Sequence, residues 1–133
     1  MTRFAIVSCV LLLVLGLGTN VVRAEEIEIG IQVSPSTINL AYEGSVVTVH
    51  ADISYHDVAL TAELTLDGVP VWRTKADLRG ELVAKFAVGD VKNLFEGMDL
   101  PTTAKLTLVG ETVAGDTFHG TDTIMVIDKS GKK

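Results

Sequence analysis

Apolar and polar residues alternate with a period of two along most of the chain after residue 24. The clearest run is residues 47–53, in which valine, alanine and isoleucine alternate with threonine, histidine and aspartate. This period places the apolar side chains on one face of a β-strand and the polar side chains on the other. Similar runs recur about every ten residues between turn residues, a spacing typical of a β-sandwich or barrel.

Turn residues between the runs predict how the strands are joined. Asp67-Gly68 separates two apolar runs and predicts a tight hairpin. Pro70 makes the return strand of this hairpin an edge strand, because proline has no N–H to donate. Residues 73–80 are polar and predict a turn-like connection, whereas residues 82–86 predict a central strand.

Two further segments complete the pattern. Residues 27–33 predict a single half-buried strand, which ends at a proline before the chain resumes on the neighbouring sheet. The apolar residues at positions 91, 94 and 95 have the i, i+3, i+4 spacing of a helix, which predicts one helical turn capped by Asp90. We expect this turn to plug one end of the core.

Together these segments predict an all-β fold, an immunoglobulin-like antiparallel β-sandwich of about seven to eight strands. The domain is expected to span residues 25–128, followed by a flexible tail at residues 129–133. This length suits one domain with one core. The chain lacks the cysteine pair of antibody domains, which excludes an antibody-type domain but not the wider architecture.

Residues 1–24 have the pattern of a secretory signal peptide. Arg3 supplies the positive charge, residues 4–17 form a short and largely apolar stretch, and small residues before Glu25 mark a cleavage site. A retained membrane anchor is the alternative, because residues 4–22 almost reach the length that spans a bilayer. The protein is therefore expected to be extracytoplasmic, either periplasmic or secreted.

The net charge limits the classes of partner, and the cysteine content limits the sources of stability. Removal of the leader takes away two arginines and no acid, so the formal net charge changes from −6 to −8. A surface this acidic disfavours nucleic acid and anionic lipid. Cys9, the only cysteine, leaves with the leader, so we expect no disulfide in the folded domain. No membrane span is predicted in the mature chain.

The residues give no clear sign of catalysis, and we expect a protein that is not an enzyme. The mature chain lacks cysteine, a G-x-S-x-G nucleophile motif and a glycine-rich phosphate loop. A group of two histidines and two aspartates comes closest to metal-ligand spacing: His50, Asp52, His56 and Asp57. We favour their interpretation as solvated polar residues of a strand and its end, because a metal site needs three or four converging ligands.

Two weaker hypotheses concern residues 72–81. Asp77 and Glu81 are candidate calcium ligands, since calcium prefers carboxylate and carbonyl oxygens, although Arg79 between them argues against this site. Trp72, the only tryptophan, is a candidate anchor for a protein partner or a sugar ring. The alternative for Trp72 is a position in the core or one that caps an edge. No cofactor other than calcium is suggested.

Most of the chain from Ile31 to Ile127 resembles an uncharacterised group of secreted immunoglobulin-like modules of bacteria and archaea. The stretches that carry the resemblance are strand and turn pieces: residues 33–40, 46–49, 64–69, 82–86, 106–111 and 118–127. The resemblance implies the fold and export, and it transfers no catalytic site. Members of the group tend to carry an acidic D-x-D-G loop, from which residues 76–81 depart.

The sequence therefore predicts an exported, non-enzymatic binding or structural module, with an unknown protein or glycan as partner. The alternative is a calcium-dependent or carbohydrate-binding domain that uses the loops near Asp77 and Trp72. The sequence leaves the oligomeric state open.

Overall fold

The structure is a computed structural model that describes residues 25–41, 43–44 and 46–129. In this part of the chain, ten strands form two sheets. The predicted leader, residues 1–24, and most of the predicted tail, residues 130–133, lie outside the described residues. No helix within the described ranges has the length and apolar character needed to cross a membrane.

The strands are numbered in chain order. Their bounds are β1 Glu26–Glu28, β2 Ile31–Ser34, β3 Thr37–Asn39, β4 Val46–Ser54, β5 Thr65–Leu66, β6 Val69–Pro70, β7 Arg73–Ala76, β8 Glu81–Ala87, β9 Thr102–Glu111 and β10 Thr117–Ile127. A 3-10 turn, Tyr55–Asp57, follows β4. Helix α1, Val88–Lys92, follows β8 and continues into a second 3-10 turn, Asn93–Phe95.

The two sheets pack face to face as a sandwich. The first sheet has the order β1-β10-β9-β5-β6, with β3 also paired to β10, and the second sheet has the order β2-β4-β8-β7. The pairs within the second sheet are antiparallel, whereas β1 and β3 run parallel to β10. Inward side chains of both sheets form the core, which includes Val47, Val49, Leu66, Leu82, Phe86, Leu106, Leu108 and Phe118.

Several predicted features are confirmed. Asp67 and Gly68 join β5 to β6 with φ of 49° and 86°, the positive values that a tight two-residue hairpin requires. The return strand β6, which contains Pro70, lies at the edge of the first sheet. The predicted central strand, β8, lies between β4 and β7. Val91 and Phe95 of the helical segment are buried in the core.

Three details of the prediction are wrong. The turn-like connection predicted at residues 73–80 is partly strand β7, because an edge strand with polar residues on its solvent face shows no apolar alternation. The helix begins at Val88 rather than after Asp90, with Ala87 at the N-cap position and Asp90 in the first turn. The number of strands is ten in the described part rather than seven or eight, because β7 adds one and the N-terminal segment is divided.

This N-terminal segment, predicted as one strand over residues 27–33, changes sheet. Strand β1 pairs with β10 in the first sheet, β2 pairs with β4 in the second sheet, and β3 returns to β10. The Ile29 amide donates to the His119 carbonyl at 2.9 Å, whereas the Gly30 carbonyl accepts from the Asp52 amide at 2.8 Å. The first change of sheet therefore falls between Ile29 and Gly30.

Gly120 of β10 makes room for this crossing. A Cβ atom at Gly120 would lie 2.6 Å from Cγ2 of Ile31 and 2.7 Å from the backbone oxygen of Ile29. Both distances are far below ordinary van der Waals contact, and one of the atoms belongs to the backbone. Only glycine fits at this position unless the crossing segment moves away.

Asp122 bridges the two sheets beyond the crossing. Its Oδ2 accepts a hydrogen bond from the Val33 amide at 2.9 Å, across the boundary between β10 and β2. Strand β1 pairs with residues 117–119 of β10, and β3 pairs with residues 125–127. The Asp122 side chain therefore supplies an acceptor for β2 where the N-terminal segment has left β10.

Replacement of Gly120 by alanine tests the crossing. We expect Gly120→Ala to lower the free energy of unfolding by about 3 kcal/mol, because an overpacked core site forces backbone to shift. Gly89→Ala is the matched control, since no atom lies within 4 Å of a Cβ built at Gly89. Alanine in helix α1 should stabilise by up to about 1 kcal/mol. Equal denaturation midpoints for the two variants would contradict this account of the crossing.

Candidate functional site

The side chain of Trp72 is 57% exposed. It lies in the short link between β6, at the edge of the first sheet, and β7, at the edge of the second sheet. The alternative of a core tryptophan therefore does not hold. A large aromatic side chain exposed to water forgoes the free energy gained by burying its apolar surface. Tryptophan is enriched at protein interfaces, where such a side chain becomes buried.

The backbone of Trp72 is bonded to β8 just before β7 begins. Its amide donates to the Lys85 carbonyl at 2.8 Å, and the next residue, Arg73, is the register partner of the same lysine. Trp72 and Arg73 are thus both bonded or paired to Lys85, at the point where regular pairing with β8 starts. The Arg73 guanidinium carbon lies 4.5 Å from the centre of the Trp72 ring, a cation–π contact.

Three cations lie beside Trp72 on the outer face of the second sheet. Thr74 pairs with the buried Ala84, so the neighbouring Arg73, Lys75 and Lys85 point away from the core. None of the three makes an ion pair with a described residue. We call Trp72, Arg73, Lys75 and Lys85 the basic face. The cations of this face are not evident in the sequence unless β7 is recognised as a strand, although the i, i+2 spacing of Arg73 and Lys75 is a usable signal.

Asp77 and Glu81, the candidate calcium ligands, lie together where β7 turns into β8. The Asp77 carboxylate accepts the amides of Arg79 and Glu81 at 2.8 and 2.9 Å. The Glu81 carboxylate pairs with the Arg79 guanidinium at 3.0 Å. Both carboxylates are thus already used within the turn, and calcium binding by them remains a prediction.

The hydrogen bonds of this turn act on the charge of Asp77. The backbone N–H of Glu81 is the main cause that holds the pKa of the Asp77 carboxyl below its ordinary value, and the Arg79 amide and guanidinium add to it. Asp77 is therefore a carboxylate throughout the neutral range. Its role in the described structure is to close the turn between β7 and β8.

The residues that come closest to metal-ligand spacing do not converge. Among the described residues, no group of three or more histidine, cysteine, aspartate or glutamate side chains is placed to hold a metal ion. His50 lies on β4 and His56 in the following 3-10 turn. His119 lies on β10 in the first sheet, where its Nδ1 is 3.8 Å from Glu26 Oε2.

A cleft of about 520 Å³ lies at the end of the sandwich where β1 and the β9–β10 turn meet. Its lining combines apolar side chains, such as Ile29, Ile53 and the 67% exposed Val113, with the carboxylates of Asp57 and Asp116. This cleft is acidic, whereas the basic face is cationic. The two surfaces therefore suit ligands of opposite charge.

Comparison of the chain with protein-family models, with curated proteins and with solved structures finds no match.

The pH dependence of the melting temperature tests the structural role of Asp77. A carboxyl whose pKa is lowered on folding stabilises the fold above its unfolded pKa, and this contribution is lost as the pH falls through the folded pKa. We expect Asp77→Ala to lower the melting temperature at neutral pH and to speed amide exchange at Arg79 and Glu81. The difference from the parent protein should shrink below the ordinary aspartate range.

The control is Asp99→Ala, since Asp99 is an exposed residue outside this turn. A pH-independent difference for the Asp77 variant would contradict the assigned hydrogen bonds. The same melts in millimolar calcium test the calcium hypothesis, because a ligand that binds only the folded state raises the melting temperature.

Proposed function

We propose that this chain is an exported, immunoglobulin-like domain that works as a binding module and not as an enzyme, and that it contacts its partner through the basic face. The observation that carries the proposal is the exposed Trp72 beside three cations that have no ion-pair partner among the described residues. An indole, a guanidinium and two ammonium groups bind by stacking, charge and hydrogen bonds.

Strand order supports the immunoglobulin-like part of the proposal. The order β2-β4-β8-β7 corresponds to strands A, B, E and D of an immunoglobulin domain, and β10-β9-β5-β6 corresponds to G, F, C and C′. These letters follow the chain order of the strands. The remaining strands, β1 and β3, run parallel to the C-terminal strand β10.

The surroundings of Glu25 support cleavage after Ala24. The Glu25 amide donates to Asp116 Oδ1 at 3.1 Å, and the Glu25 carbonyl accepts from the Thr117 amide at 2.9 Å. Cleavage would turn this amide into a positively charged α-ammonium group next to a carboxylate. A charge-assisted hydrogen bond is stronger than a neutral one, so a free N-terminus at Glu25 would hold β1 on β10 more firmly.

The proposed export is tested by expression of the full chain with its own leader. We expect intact-mass and N-terminal analysis of the extracytoplasmic protein to find Glu25 as the first residue. Ala24→Phe is the control, because a bulky residue next to the bond blocks a cleavage site that needs a small one. Retention of residues 1–24 in the parent protein would contradict cleavage and indicate a tether.

The binding role is tested with the same protein immobilised and exposed to extracytoplasmic extract of the source cells. We expect Trp72→Ala to weaken retention of the specific component by at least about 2 kcal/mol, roughly thirtyfold in Kd, as loss of an aromatic anchor does. Val113→Ala, at another exposed apolar residue, should leave retention unchanged. Equal retention by both variants would exclude the basic face as the contact surface.

A further inference from the structure

The outer face of the second sheet carries one row of polar side chains that crosses all four strands. Arg73 on β7 is opposite Lys85 on β8, and Lys85 is opposite Thr48 on β4. Thr48 in turn is opposite Ser34 on β2. Three strand spacings of about 4.8 Å make this row roughly 14 Å across. The row has two cations at one end and two hydroxyl groups at the other.

A second row runs parallel to the first. Lys75 is opposite Val83, which is opposite His50, and His50 is opposite Gln32. Val83 is only 2% exposed although it points away from the core. The aliphatic stems of long neighbouring side chains cover such a residue and hold their polar ends along the surface. Neither row contains a carboxylate.

The fold itself does not balance the charges of these rows. Arg73 and Lys85 are cross-strand partners, and like charges directly opposite one another destabilise a sheet. The acids at the nearby turn are occupied, since Glu81 pairs with Arg79 and Asp77 holds backbone amides. A bound anion would remove the repulsion between the two cations. The arrangement therefore favours an anionic ligand.

Overall charge does not oppose such a ligand at close range. The chain without residues 1–24 has a formal net charge of −8, but charges farther apart than about 8 Å are largely screened at physiological ionic strength. Two acids lie on the same face beyond the second row, since Asp52 of β4 and Glu81 of β8 line one surface with His50 and Gln32. The row of Arg73 and Lys85 lies farther from these acids than the row of His50 does, so an anion is attracted mainly to Arg73 and Lys85.

We propose that the two rows and Trp72 bind an acidic polysaccharide. Arg73, Lys75 and Lys85 pair with its carboxylate or sulfate groups, and the exposed indole of Trp72 packs against the apolar face of a sugar ring. The hydroxyl, amide and imidazole groups toward β4 and β2 exchange hydrogen bonds with sugar hydroxyls. This inference rests on the proposed binding role of the basic face and specifies its ligand class.

An acidic peptide is the competing ligand, and the geometry favours it less. A peptide that adds a strand would need the free edge of β7, which is only 4 residues long. The polar groups available for binding are spread across four strands instead. A flat, extended, hydroxyl-rich polymer matches that distribution better than a single added strand.

Titration of the mature protein with polygalacturonate tests the proposal, with its fully methyl-esterified form and poly-glutamate as comparisons. Trp72 is the only tryptophan, so its fluorescence reports directly on this face. We expect a saturable change with polygalacturonate and much weaker changes with the ester, which lacks charge, and with poly-glutamate, which lacks sugar rings. Calorimetry should give roughly tenfold weaker binding for Lys85→Gln and for Lys75→Gln.

Lys105→Gln is the matched control, because Lys105 is exposed on β9 of the first sheet. No response to polygalacturonate, or an equal response to its ester, would overturn the acidic polysaccharide. Equal binding of poly-glutamate would assign the face to acidic proteins instead. If retention from extract still depends on Trp72 in those cases, the binding role stands and only the ligand class is wrong.

Discussion

The packing of the N-terminal segment against Gly120 is the constraint on which the sandwich depends. At this point the chain leaves the first sheet at Ile29 and enters the second sheet at Gly30. The backbone of the crossing lies so close to β10 that a single methyl group at residue 120 would meet Ile29 and Ile31 at less than 3 Å. Beyond the crossing, Asp122 accepts the Val33 amide from the other sheet. One glycine and one carboxylate therefore fix how the two layers meet.

The same construction leaves the opposite edge of the second sheet open. Strand β2 is covered on one side by β4 and bonded on the other by Asp122, whereas β7 pairs only with β8 among the described strands. Proline blocks the corresponding edge of the first sheet at β6. The exposed tryptophan and three cations without an ion-pair partner among the described residues occur at this β7 edge, which neither device protects. Lysine and arginine at an edge strand also discourage aggregation between edges, a role that their charge serves independently of the proposed binding.

The sequence predicts a strand correctly where one face of the strand is buried and the other is exposed. The prediction fails where this contrast between the two faces is missing. The strand at residues 47–53 is recognisable because its apolar and polar residues alternate with a period of two. The Asp67-Gly68 turn is recognisable because these residue types favour the positive φ values of a tight hairpin. Strand β7 cannot be recognised in the sequence, because Arg73 and Lys75 face water. Thr74 and Ala76, on the other face, are not apolar or large enough to indicate an inward face. The change of sheet at Ile29 cannot be recognised in the sequence either. The inner faces of both sheets are apolar, so the same alternation of residues suits either sheet. The failure to predict β7 also hides the basic face. Trp72 is evident in the sequence, but its cationic neighbours are identified only by the pairing register of β7 and β8.

Strand β10 is the last strand of the described residues, and both β1 and β3 pair with it in their sheet. The hydrogen bonds that link Glu25 to Asp116 and Val33 to Asp122 close loops of 91 and 89 residues. Contacts of such long range form late and slow the folding of a domain. The chain must therefore be available as far as β10 before β1 and β3 can pair in their sheet. The proposed export would benefit from this delay, because a polypeptide without strand β10 in place stays unfolded and can be threaded through a membrane channel.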